Sequence, residues 1–160
     1  IFSIASSECN SGMALAKAFE VSGLAIWLGQ LITTFGGLPL ILLLFVLVTA
    51  VNFLTEITSN LATTAMLLPV LAPLAFEVGV HPFGLMVAAA VAASCAYMLP
   101  VATPPNAVVF GSGYLRIPDM VSKGIVLNLF SILLITIMVY FLLPVLWDID
   151  LTKFPKALLP

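Results

Sequence analysis

The sequence predicts an all-α integral membrane protein whose helices are interrupted inside the apolar region, and three observations carry that prediction. Of the 160 residues, 62% are hydrophobic and only 8% charged, against about 25% charged in soluble domains. The mean hydropathy is +1.26. Two polar, helix-breaking stretches, TEITSN (Thr55 to Asn60) and LPVATPPNAVVF (Leu99 to Phe110), lie within otherwise apolar sequence, where bare backbone groups cost several kcal/mol each in contact with lipid. The net charge of −2 and the lack of a basic cluster exclude nucleic acid as a partner. Cys9 and Cys95 have no metal-ligand spacing and do not suggest a disulfide. The opening IFSIASSECN carries no positively charged leader and begins in mid-pattern, as a fragment or processed piece would.

Residues 12–32 read as an amphipathic helix, because Leu15, Phe19, Leu24, Leu28 and Leu31 recur at helical spacing while Lys17 and Glu20 occupy another face. An ordinary transmembrane helix with charges at one end is the alternative. Gly36-Gly37 then punctuates the chain. A crossing needs about 20 apolar residues, so residues 38–77, divided at Ser59-Asn60, form either two spans meeting at a short polar loop or a re-entrant helical hairpin with its tip there. Glu56, the acid inside this stretch, is either a functional group or a packing partner for a neighbouring helix. His81 reads as a loop residue at the membrane surface.

Residues 83–113 read as a broken helix. An alanine-rich first part, suited to close helix packing, runs from Phe83 to Leu99, and about two further turns follow from Asn106 to Gly113. Proline lacks an amide hydrogen and its ring displaces the carbonyl four residues back. Pro100, Pro104 and Pro105 are therefore expected to free the carbonyls of Ala96, Pro100 and Val101, oxygens that suit a cation. The helix restarting near Pro105 would turn its amides and dipole back into the gap, which suits an anion. The tip at Ser59-Asn60 repeats the arrangement, with Thr55, Thr63, Ser59 and Asn60 adding polar side chains. Two opposed helix breaks would then share one polar pocket, as in secondary transporters. Residues 121–147 form the last transmembrane helix, with Lys123 near one end and Trp147 and Asp148 at the other.

The stretches FLTEITSNLATTAMLLPVLAPLA and MLPVATPPNAVVFGSGYLRIPDMVSKG closely resemble the second half of the divalent anion:sodium symporters, and the resemblance runs from about Gly12 to Trp147. It implies an elevator-type transporter half comprising an interfacial arm helix (12–32), a re-entrant hairpin (38–77), a broken helix (83–113) and a final transmembrane helix (121–147). It further implies a homodimer when complete, a missing N-terminal repeat with its own hairpin and sodium site, and a location in the plasma (cell inner) membrane. The family's Ser-Asn-Thr tip is matched by Ser59 and Asn60 but has Leu61 in third place, so the substrate contacts carried over are Ser59, Asn60, Thr103 and Pro104. The sodium contacts carried over are Thr55, the backbone at Thr58, Asn60 and the backbone at Ala102. Sodium-coupled symport of a small anion of the succinate, malate, citrate or sulfate class follows from the resemblance. The alternative is a truncated, non-autonomous membrane fragment. An enzyme is not expected, since no Ser/His or paired-Asp constellation falls inside the apolar segments. The positive-inside count, three on the side of Lys17, Lys153 and Lys156 against two for Arg116 and Lys123, runs against the cytoplasmic placement of the Arg116 to Lys123 loop that the resemblance implies.

Overall fold

A computed structural model describes Val21 and residues 39–153, and the described residues are helical with no strand. The arm predicted over 12–32 lies outside them except for Val21, which is helical. Five helices follow in order: α1 Leu40–Thr55, α2 Asn60–Val78, α3 Pro82–Ala93, α4 Pro104–Gly111 and α5 Ile117–Trp147. At 1.5 Å per residue they run from about 12 Å for α4 to about 46 Å for α5. Among the described residues, only α2 and α5 are long and apolar enough to cross a bilayer.

The alanine-rich α3 sits at the centre, packed against α1, α2 and α5. Ala88, Ala89, Ala92 and Ala93 are all buried, and their small side chains let three neighbours approach its backbone. In lipid that close approach matters more than apolar burial, because the solvent is itself apolar. From α1 come Leu44, Val48 and Val51, and from α5 Ile132, Ile135 and Val139, to complete the core. The outward faces keep Phe45, Phe130, Leu133 and Phe141 exposed, as a lipid-facing surface requires.

Pro69 and Pro73 both lie inside α2, which continues through them. Transmembrane helices tolerate this because neighbours and local adjustment re-satisfy the freed carbonyls. The helix ends at Gly79, whose φ of 76° needs a residue without a Cβ. There the amide of Gly79 donates to Phe76 and that of Val80 to Ala75, a Schellman closure. His81 is more than a surface loop residue. It is buried, and its Nδ1 caps α3 by accepting from the Phe83 amide at 3.3 Å. Its own amide donates to Leu151 at 3.1 Å, tying the chain after α5 to the start of α3. Burial lowers its pKa.

The larger departure concerns α3. It was expected to run to Leu99 but stops at Ala93, and no helix resumes until Pro104. Nothing in AASCAYML forbids a helix, so the cause lies outside the segment. The last helix begins at Ile117, four residues ahead of the predicted span, because Pro118 sits in its first turn and Asp119 accepts from the Arg116 amide at 3.4 Å.

Candidate functional site

The site is assembled where α1 ends, α2 begins and α3 has stopped. Glu56 and Ile57 continue α1 with two tighter bonds, to Phe53 and Leu54, before the chain turns at Thr58 and Ser59. Ser59 is the N-cap of α2 by backbone conformation, but its hydroxyl makes no capping bond. The first amide of α2 to find a partner is that of Thr63, which donates to the Ser59 carbonyl at 2.8 Å. Among the described residues, the amides of Asn60, Leu61 and Ala62 have no acceptor. Three donors thus stand at the positive end of a 19-residue helix.

Beside them, Thr55 Oγ1 lies 2.6 Å from Asn60 Oδ1 and 2.9 Å from the carbonyl oxygen of Ala93, the last residue of α3. A hydroxyl has one proton for these two acceptors. Three uncharged oxygens, from a hydroxyl, an amide and a carbonyl, therefore converge on one spot. Hard cations take such ligands, and a cation there would require the hydroxyl proton to turn away. The set fits a sodium ion by its donor chemistry. Thr58 Oγ1 is engaged with Leu54 and Thr63 at 2.8 and 2.6 Å.

The unwound chain from Ser94 to Thr103 is held by side chains rather than by its own helix. The buried Glu56 carboxylate accepts from three consecutive amides: Tyr97 at 2.8 Å, Met98 at 3.1 Å to both oxygens, and Leu99 at 3.1 Å. Asn128 of α5 adds a fourth donor, Nδ2 to Oε1, at 2.6 Å. Asn52, one turn before Glu56, donates to the Cys95 carbonyl, and Asn106 of α4 donates to those of Ala96 and Leu99, both at 3.1 Å. Amides pulled toward Glu56 cannot point back along a helix. That is why α3 ends six residues before the expected place. Glu56, open in the sequence between a functional and a packing role, is thereby committed to the protein's own backbone.

Two expectations about the break need correcting. Of the three carbonyls that the prolines were to free, Ala96 is taken by Asn106, whereas those of Pro100 and Val101 receive no donor among the described residues. The start of α4 does not offer amides to an anion. Pro104 and Pro105, its first two residues, have none, and Thr103 Oγ1 caps the Asn106 amide at 3.5 Å. The available amides belong to α2 instead.

Of the predicted site residues, the structure brings Thr55 and Asn60 into contact and leaves Ser59 and Pro104 exposed and Thr103 half-buried as the α4 cap. Ala102 is buried and tied by its amide to Leu99 at 3.2 Å, with no hydrogen bond to the tip. Asn52 and Asn128 were not singled out in the sequence, Asn106 was read only as the start of the helix after the break, and Ala93 could not have been singled out. The signal for Asn52 and Asn128 is a lone amide side chain in an apolar helix, in VNFLTE and in VLNLF. Both are fully buried, and the Oδ1 of each lacks a donor. A separate hollow of about 630 Å³, bordered by Phe83, Met86 and Trp147 near the start of α3, has apolar walls and no ion-binding chemistry.

Polar atoms gathered where apolar helices stop are also the arrangement found at the sites of secondary transporters with discontinuous helices. Residues 9–148 match the family model of the sodium:sulfate symporter transmembrane region, and the chain belongs to that family as an integral membrane protein. It is 53% identical over 142 residues, 89% of its length, to a sodium-dependent dicarboxylate transporter, SdcS, of Staphylococcus saprophyticus. The SdcS of Staphylococcus aureus strain MRSA252 is 51% identical over the same number of residues. In each case the chain spans 27% of the relative's length, less than the half expected from the resemblance.

Proposed function

We propose that the chain contributes one side of the transport site of a sodium-coupled symporter for a small dicarboxylate or similar divalent anion in the plasma membrane. The observation that carries the reading is the convergence of Thr55, Asn60 and the Ala93 carbonyl beside the three free amides of α2. Sodium sits among the oxygens, and a carboxylate of the substrate takes the amides and the Ser59 hydroxyl. No lysine or arginine falls among these residues, so the dianion is held by amides, hydroxyls and the neighbouring cation. Sodium lowers the electrostatic cost of bringing the anion in, and by linkage the anion tightens sodium to the same degree.

The similarity to sodium-dependent dicarboxylate transporters and the membership of the sodium:sulfate symporter family support this reading. Thr58, Thr103, Pro104 and the backbone at Ala102 complete the set of contacts, with α1 and α2 as a re-entrant hairpin and α3 and α4 as the two parts of a broken helix. A first repeat in the remainder of the protein supplies the facing hairpin, and two copies assemble as a dimer in which the site-bearing helices move as an elevator.

Thr55→Val in the full-length protein tests the ion site. Valine keeps the shape and removes one oxygen, so the sodium concentration for half-maximal uptake is expected to rise on the order of tenfold, while anion affinity at saturating sodium changes little. Identical sodium activation curves for the variant and the parent would remove Thr55 from the site.

A further inference from the structure

We propose that Asn128 of α5 is a positioning residue for the ion site: acting through Glu56, it holds the unwound Tyr97–Leu99 segment and so keeps the Ala93 carbonyl facing Thr55 and Asn60. The inference rests on the sodium-site reading above, but its geometry stands by itself.

Three consecutive amides turned toward one anion form the kind of nest in which proteins bind phosphates. Here the chain's own Glu56 fills it, 41 to 43 residues away in sequence. A buried carboxylate is tolerable only with such compensation, and the amides in turn have no helical partner. Each side of this contact therefore depends on the other. What fixes the carboxylate between them is α5. Asn128 Nδ2 lies 2.6 Å from Oε1, and because Asn128 Oδ1 has no donor, the bond to Glu56 is what orients the side chain.

One turn earlier on the same face of α5, a Cβ at Gly124 would stand 2.5 Å from the Tyr97 carbonyl oxygen and 2.7 Å from Met98 Cα. The helix thus lies directly on the backbone that Glu56 grips. Asn52 holds Cys95 from the α1 side. The last residue of α3 before this clamp is Ala93, whose carbonyl meets Thr55 at 2.9 Å. A slackened clamp lets the end of α3 re-form helix through Ser94 to Tyr97, which draws the Ala93 oxygen toward the Tyr97 amide and away from Thr55.

Asn128→Ala and Asn128→Ser in the full-length protein separate positioning from bulk stability, serine keeping a short donor. Hydrogen exchange of peptides covering residues 94–103 is expected to quicken roughly tenfold in the alanine variant, and less in the serine variant, with exchange across Leu44 to Val51 unchanged. The half-activating sodium concentration rises in the same order, with the anion KM at saturating sodium unchanged. Unaltered exchange at 94–103 would overturn the clamp, and faster exchange with unaltered sodium activation would overturn the positioning role. A parent protein with no sodium-dependent uptake sinks the sodium-site reading instead, and exchange alone then decides whether Asn128 holds the segment. Should the alanine variant fail to insert, the serine variant carries both measurements.

Discussion

Asn60→Ala is expected to abolish sodium-driven uptake in the full-length protein while leaving membrane insertion intact. Asn60 would serve the proposed site twice: its Oδ1 is one of the three converging oxygens, 2.6 Å from Thr55 Oγ1, and its backbone amide is the first free donor of α2. Alanine removes the oxygen and lets the Thr55 hydroxyl commit its proton to Ala93, pointing it where the cation should lie. Losing a hydrogen-bonding partner of a charged species costs roughly 1.5 to 3 kcal/mol, which by itself lowers ion affinity on the order of ten- to a hundredfold. With the anion depending on the cation, as proposed, the two losses compound. Insertion should not suffer, since removing an amide from an apolar segment favours the membrane. Uptake of a labelled dicarboxylate into proteoliposomes, alongside a carbonate-resistant membrane fraction, measures both. Normal uptake by Asn60→Ala would remove the α1–α2 tip from the site.

Gly124→Ala should destabilise the protein more than alanine at any other described glycine. The added Cβ would lie 2.5 Å from one backbone atom and 2.7 Å from two others, and none of these is the end of a side chain that could swing aside. Overpacking a well-filled interior costs about 1 to 3 kcal/mol. Here relief requires moving either α5 or the Tyr97–Met98 peptide, and moving the peptide also stretches the bonds to Glu56. The melting temperature in detergent should therefore fall by several degrees. A variant melting within a degree of the parent would mean that α5 does not lie on the break.

How much of this was legible beforehand depends on the range of the interaction. The membrane class, the tip at Ser59-Asn60 and the existence of a break before Pro104 are written in local composition and in proline chemistry. The true extent of the break is not. Ala92 to Leu99 contains no glycine or proline, and alanine favours helix, so local propensity carries the helix on. Glu56 overrides it from another helix, and no periodicity reports a contact 41 residues away. Asn128 was hidden for a related reason: in the most regular span of the chain, one amide among leucines looks like a tolerated substitution until the carboxylate it meets is known. The start of α4 was misread despite full information. Pro104 and Pro105 were treated as carbonyl-freeing residues, but two prolines at the first two helical positions also remove the very amides an anion would use. The amides free to meet an anion accordingly belong to α2.

The central claim is that this tip and break bind sodium, and that the anion binds because sodium is there. The most direct measurement is the melting temperature of the full-length protein in detergent, titrated with succinate at equal ionic strength in sodium and in potassium. A ligand stabilises the folded state according to its concentration over its dissociation constant. Sodium alone is predicted to raise the melting temperature relative to potassium, and succinate to raise it further in sodium while doing nothing in potassium. An equal succinate shift in both salts would contradict the claim, since the anion would then be held without the cation.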